Sequence, residues 1–154
     1  MAPRTARLLF VCSGNLHRSV MAAGIARAMF EELKRPAIVA SAGTLNLIGQ
    51  TAPPEVLEVC HELGVDVSDH RSQGLSRALV HNADAIIVMG TQHGESVVKL
   101  DASAEERLFH LGDYAEPPGD IWDPIGTNVA RFRESRDHIL GCLRRLLPDL
   151  LRRL

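Results

Sequence analysis

Short apolar runs alternate with longer amphipathic stretches along this chain. Ala6–Val11 is continuous and apolar, the pattern of a strand buried on both faces. Ser19 is placed to cap a helix over Val20–Lys34, where Met21, Ile25, Ala28, Met29, Glu32 and Leu33 form a mostly apolar stripe; Pro36 stops it. Ala37–Ala40 predicts a second strand. Pro53 and Pro54 lead into a helix over Glu55–Leu63, with Gly64 just past its end. A short helix over Ala78–His81, a third buried strand over Ala85–Met89, a helix over Gln92–Lys99 and a fourth strand over Arg107–Leu111 follow. Residues 112–127, with three Pro and three Gly, read as a long functional loop. Thr127 or Asn128 caps a last helix carrying Phe132, Ile139, Leu140, Leu143, Leu146 and Leu147, which Pro148 is expected to kink or end.

This alternation predicts one α/β domain over residues 1–154, a four-stranded parallel sheet with helices on both faces. In such sheets ligands bind beyond the carboxyl ends of the strands, so the loop after the first strand is the first place to look. The 17 basic and 19 acidic residues give a net charge of −2, which argues against a nucleic-acid or membrane binder. No apolar run has the length of a membrane span, and no export signal is evident, so a cytoplasmic location is expected. The three cysteines, Cys12, Cys60 and Cys142, are too few and too scattered for a disulfide framework, and the latter two read as small buried residues. No His/Cys cluster has zinc spacing, and no metal or other cofactor is expected.

The loop is Cys12-Ser13-Gly14-Asn15-Leu16-His17-Arg18-Ser19. A helix N-terminus offers unpaired N–H groups and a positive dipole end, which suits a phosphate. Gly14 and Asn15 tolerate left-handed backbone angles, so the loop is expected to curl with its amides inward and form an anion-binding nest. Arg18 adds a planar fork that grips two phosphate oxygens at once. The same groups favour a Cys12 thiolate, to which the Ser19 hydroxyl is placed to donate. A cysteine with an arginine six residues on is a weak signal alone; the preceding strand, the internal Gly-Asn, the Ser after the Arg and the following helix make it specific.

Val11–Ser19, VCSGNLHRS, resembles the phosphate-binding loop of the low-molecular-weight protein tyrosine phosphatases, bacterial type. Ser41-Ala42-Gly43-Thr44, Gly64–Ser72, Asp84–Met89 and Asp120-Ile121-Trp122-Asp123-Pro124 resemble further segments of that family in the same order. The resemblance implies hydrolysis of protein phosphotyrosine through a phosphocysteine on Cys12. Arg18 would bind the phosphoryl group, the backbone of Ser13, Gly14, Asn15, Leu16, His17 and Arg18 would form the cradle, and Asp123 would be the general acid and base. Asn15, Ser19, Ser41 and His70 match positions that brace the loop. Taken alone, Asp123 before Pro124 reads as a turn former and His70 as a capped loop residue; their place in the pattern overrides that. The implied partner is a phosphotyrosine-bearing protein, with a bacterial tyrosine kinase a candidate by analogy to capsule-regulating relatives. A monomer or weak dimer is expected.

Two departures stand out. His17 occupies the place of a second cysteine that can pair with the nucleophile, so Cys12 is expected to lack that protection against over-oxidation. The aromatic walls are thin: Leu47, Trp122 and Ile125 are the candidate substrate-wall residues, with Trp122 expected either in a wall or packed beneath the loop. Gly126 after the Asp-Pro pair fits a branch that dephosphorylates phosphoarginine, whereas Leu16 departs from the Thr of that branch. Protein-arginine phosphatase is therefore one alternative. Arsenate reductase is another, though Cys60 and Cys142 are 82 positions apart. A weakly active phosphate-binding module is the third.

Overall fold

The computed structural model describes residues 4–154. Four parallel strands, β1 (Ala6–Cys12), β2 (Ala37–Gly43), β3 (Ala85–Val88) and β4 (Leu108–His110), lie in the order β2-β1-β3-β4. Five α-helices connect or cover them: α1 (Arg18–Glu32), α2 (Pro54–His61), α3 (Arg77–Asn82), α4 (Thr91–Leu100) and α5 (Val129–Arg153). The chain forms a single α/β domain with helices on both faces of the sheet, as the alternation predicts.

The central strand β1 explains the two-layer core. Leu8 and Phe10 point to one face, packed with Met21, Val56, Ile139 and Leu146 of α1, α2 and α5; Leu9 and Val11 point to the other, with Val80 and Val97 of α3 and α4. Successive side chains of a strand face opposite ways, so a strand with helices on both sides reads as an unbroken apolar run. The chain reverses direction in sheet order between β2 and β3, on either side of β1, which puts the end of β1 at the switch point of the sheet.

Several local expectations change. Helix α1 begins at Arg18 with His17 as N-cap, so Ser19 lies inside the helix rather than capping it. Its first half, from Arg18 to Ala26, is buried all round, while Ala28, Glu32 and Leu33 of the expected stripe are exposed. The cause is enclosure: α1 touches β1, β2, α2 and α5, and Gly24 allows the close approach. A Cβ on Gly24 would lie 2.8 Å from methyl carbons of both Val65 and Val67. Helix α5 continues through Pro148 to Arg153, because Phe132, Ile139, Leu143, Leu146 and Leu150 are buried along its length and outweigh one lost backbone bond. Strand β4 has only three residues, since a 3-10 turn over Ala102–Arg107 precedes it and another over Leu111–Tyr114 takes up the start of the long loop.

Candidate active site

The loop between β1 and α1 emerges at the carboxyl end of the central strand. Asn15 carries its left-handed turn, with φ 56°. Gly14 does not take a positive φ, contrary to the expectation for the Gly-Asn pair; it lies beneath Leu47, whose Cδ1 is 3.7 Å from where a Gly14 Cβ would stand. Among the described residues, the backbone N–H groups of Ser13 to His17 donate to no protein acceptor. A curled run of unpaired amides at a helix N-terminus is an anion cradle.

Asn15 is the hub of the support. It is fully buried, and its Nδ2 donates to Ser19 Oγ at 2.9 Å and to Ser41 Oγ at 2.8 Å. Its Oδ1 accepts from the Gln73 N–H at 3.0 Å, and its carbonyl meets His70 Nε2 at 2.7 Å. Burial leads the causes that hold His70 below its ordinary value, which keeps the ring neutral with Nε2 as donor to that carbonyl. The turn after β2 closes the back of the loop: Thr44 and Leu45 N–H donate to the carbonyls of Cys12 and Ser13. No side chain fits at Gly43, where a Cβ would lie 2.5 Å from the Ser13 carbonyl oxygen.

Cys12 sits at the floor, 2% exposed, with Sγ 3.0 Å from Ser19 Oγ. Ser19 Oγ already accepts from Asn15, so its own proton is free to point at the sulfur. Arg18 is 7% exposed. Its Nη1 donates to the Ile121 carbonyl at 2.8 Å, and Nη2 reaches Ser13 Oγ at 3.4 Å and Asp123 Oδ2 at 3.6 Å. Arg18 Nε is buried with no partner. A buried guanidinium N–H without an acceptor is costly, so Arg18 Nε is left available to an acceptor such as an anion.

Asp123, in the loop before α5, has a side chain one-third exposed. Oδ1 lies 3.3 Å from His17 Nδ1 and accepts from the Ile125 N–H at 3.0 Å. The His17 contact leads the causes that hold Asp123 below its ordinary value, with the Ile125 N–H and Arg18 adding to it against the opposing effect of burial. The three substrate-wall candidates divide. Leu47 lies over the loop, Ile125 is exposed beside Asp123, and Trp122 is half-buried with the Arg131 guanidinium 4.4 Å over its ring.

Cys60 and Cys142 are fully buried, and burial pushes the Cys60 thiol up to about 11 and raises that of Cys142. Neither is a ready partner for Cys12.

Sequence reasoning missed His93 and the Ile121 carbonyl. His93 of α4 is fully buried, its Nε2 2.9 Å from Ser13 Oγ, and burial pushes it down to about 4, so it stays neutral beneath the loop. Its only sequence signal is a histidine in the first turn after the third strand, at the ligand end of the sheet. The Ile121 carbonyl has no sequence signal, because every residue carries one.

The profile of the family described as "Low molecular weight phosphotyrosine protein phosphatase" matches residues 7–154, and the chain belongs to that family. A probable low molecular weight protein-tyrosine-phosphatase EpsP from Ralstonia solanacearum is 34% identical over 128 residues, 83% of this chain and 84% of its own length. A protein-arginine-phosphatase from Geobacillus stearothermophilus is 32% identical over 146 residues, 94% of this chain and 95% of its own. A low molecular weight protein tyrosine phosphatase structure from T. tengcongensis superposes with a TM-score of 0.87 at 31% identity, over 95% of this chain and 100% of that one.

Asn15→Ala is expected to loosen the whole site. Alanine loses three side-chain hydrogen bonds and is strained at a positive φ, so stability falls by about 2–4 kcal/mol. Thermal unfolding checks it. Asn15→Gly, free of the φ strain, should recover part of the loss, and equal stability of both variants with the parent would contradict the hub role.

Proposed function

We propose that this protein hydrolyses phosphotyrosine on proteins through a phosphocysteine on Cys12. The observation that carries the reading is the buried, unpartnered Arg18 Nε together with the free N–H groups of Ser13 to His17 in the loop that follows the buried Cys12. In this reading the phosphate dianion lies in the cradle with Arg18 Nε and Nη2 gripping two of its oxygens. The thiolate of Cys12 attacks phosphorus, an S–P bond forms and the ester P–O bond breaks. Asp123 gives its proton to the departing oxygen. Water then attacks phosphorus, Asp123 takes its proton, the S–P bond breaks, and inorganic phosphate and the thiolate are released.

Asp123 is held as carboxylate while the site is free. A bound dianion opposes that charge and draws Arg18 to itself, which favours the protonated form when the acid is needed. Catalysis is mostly positioning and charge stabilisation, supplied by this chain's own groups. A free thiol nucleophile fits a reducing, cytoplasmic setting. The inferred partner is a phosphotyrosine-bearing protein, with a bacterial tyrosine kinase the candidate.

A second reading, phosphoarginine as substrate, is favoured by the rim. Leu45, hydrogen-bonded to the Ser13 carbonyl, and Ile125, hydrogen-bonded to Asp123, are 64% and 66% exposed, Leu47 covers Gly14, and one face of Trp122 is taken by Arg131, so aliphatic surface dominates where an aromatic ring would stack. Hydrolysis of phosphotyrosine and phosphoarginine peptides, side by side in EDTA, tests both. We expect the higher kcat/KM on phosphotyrosine; a preference for phosphoarginine would keep the mechanism and move the substrate.

A further inference from the structure

We propose that His17 is a positioning residue for Asp123: it occupies Oδ1, leaves Oδ2 as the oxygen that exchanges the catalytic proton, and sets the upper pH limit of the acid step. The inference rests on the reading of Asp123 as general acid and base. His17 Nδ1 is 3.3 Å from Asp123 Oδ1, which also accepts from the Ile125 N–H at 3.0 Å. Oδ1 therefore has both its in-plane donors. Oδ2 has no hydrogen-bond donor among the described residues and faces Arg18 Nη2 at 3.6 Å, toward the cradle. The His17 ring is fixed from the other side by Phe132 of α5, edge to face at 5.3 Å between centroids. The charged group in contact with it is Asp123 from the loop before α5, which is itself faced by Arg18 of α1 and felt by His93 of α4; α5 presents the apolar Phe132 to the ring, while its Arg131 lies over Trp122.

The chemistry follows from donor counting. An ionised carboxylate only accepts, so the proton in the contact belongs to His17 Nδ1. That donation favours the carboxylate, the form that must deprotonate water in the second step. It also makes Asp123 lose its proton at lower pH, which limits the first step on the alkaline side. During the first step the proton on Oδ2 passes to the leaving oxygen, and the new carboxylate is received by His17 and Ile125. During the second, a water proton returns to Oδ2. Holding one oxygen in place also keeps the other aimed at the phosphoryl group.

The test is the pH dependence of kcat/KM on phenyl phosphate, a poor leaving group, for the parent, His17→Leu, His17→Asn and Asp123→Asn. Because kcat/KM reports the free enzyme, its alkaline limb reads Asp123 in the unliganded site. His17→Leu keeps an apolar contact with Phe132 and removes the donor, and its alkaline limb should move up by about 0.5–1 pH unit. His17→Asn keeps a donor near the Nδ1 position without the imidazole ring, and its limb should move the same way by less. An unmoved or lowered limb in His17→Leu overturns the proposal, since a packing role alone would change stability or kcat but not the limb. Should His17→Leu not fold, an unmoved limb in His17→Asn overturns it instead. Asp123→Asn separates the two levels. If the alkaline limb persists there, the general-acid reading of Asp123 fails; if it is lost there yet unmoved in the His17 variants, the His17 role alone fails.

Discussion

Replacing Cys12 by serine removes hydrolysis of every phosphomonoester, by roughly 10⁴-fold or more, while inorganic phosphate still binds. The split between catalysis and binding is the informative part. Serine is close in size and keeps the floor of the cradle filled, and the N–H groups of Ser13 to His17 and Arg18 Nε do not depend on the sulfur. A hydroxyl is not ionised near neutral pH, however, and a hydrogen bond from Ser19 does not make it so. Steady-state turnover of p-nitrophenyl phosphate gives the first quantity, and calorimetric titration with phosphate gives the second. A Cys12→Ser protein keeping a hundredth of the parent rate would remove Cys12 from the nucleophile's role. Loss of phosphate binding together with activity would mean that the variant had damaged the cradle itself.

Arg18→Lys is the second large effect, with kcat/KM falling at least about a hundredfold although the charge is kept. The guanidinium has three tasks at once. Nη1 fixes the Ile121 carbonyl, and with it the loop that carries Asp123; Nη2 spans Ser13 and Asp123; Nε is left for the anion. A lysine ammonium is a single point donor cluster and cannot reach Ile121 and the phosphate together. The loss should therefore be larger for phenyl phosphate than for p-nitrophenyl phosphate, because the acid loop is loosened as well as the phosphate grip. A loss under tenfold, equal for both substrates, would contradict this account of Arg18.

The strand-loop-helix at the start of the chain was legible because each part is local: an apolar run, a loop with Asn15 at its left-handed turn, and a helix that offers its N-terminus. Cys12 and Arg18 follow from that order alone. Ser19 shows the limit. Sequence allows it to cap the helix or to face the thiol, and only the start of α1 at Arg18, with Asn15 turned onto its hydroxyl, decides for the second. The stripe read on α1 held at Met21, Ile25 and Met29 but not at Ala28, Glu32 and Leu33, for a non-local reason, since four other elements pack around the helix. Pro148 was misleading because the buried apolar face of α5 outweighs one missing donor. His93 looks like any polar residue of an amphipathic helix, and its burial under Ser13 depends on how α4 packs on the sheet. His17 was visible as a departure from the family, but its partner Asp123 is 106 positions away. No local pattern joins the two.

The central claim is a covalent phosphoryl intermediate on Cys12, and the most direct test is to catch it. The parent and Asp123→Asn, which is expected to slow removal of the phosphoryl group by water, are mixed with p-nitrophenyl phosphate, quenched during turnover and digested, and the peptides are weighed. The account predicts one added phosphoryl group on the peptide containing Cys12, more abundant in Asp123→Asn than in the parent and absent from Cys12→Ser. Sustained turnover with that peptide unmodified in both proteins, or with the phosphoryl group on another residue, would contradict it.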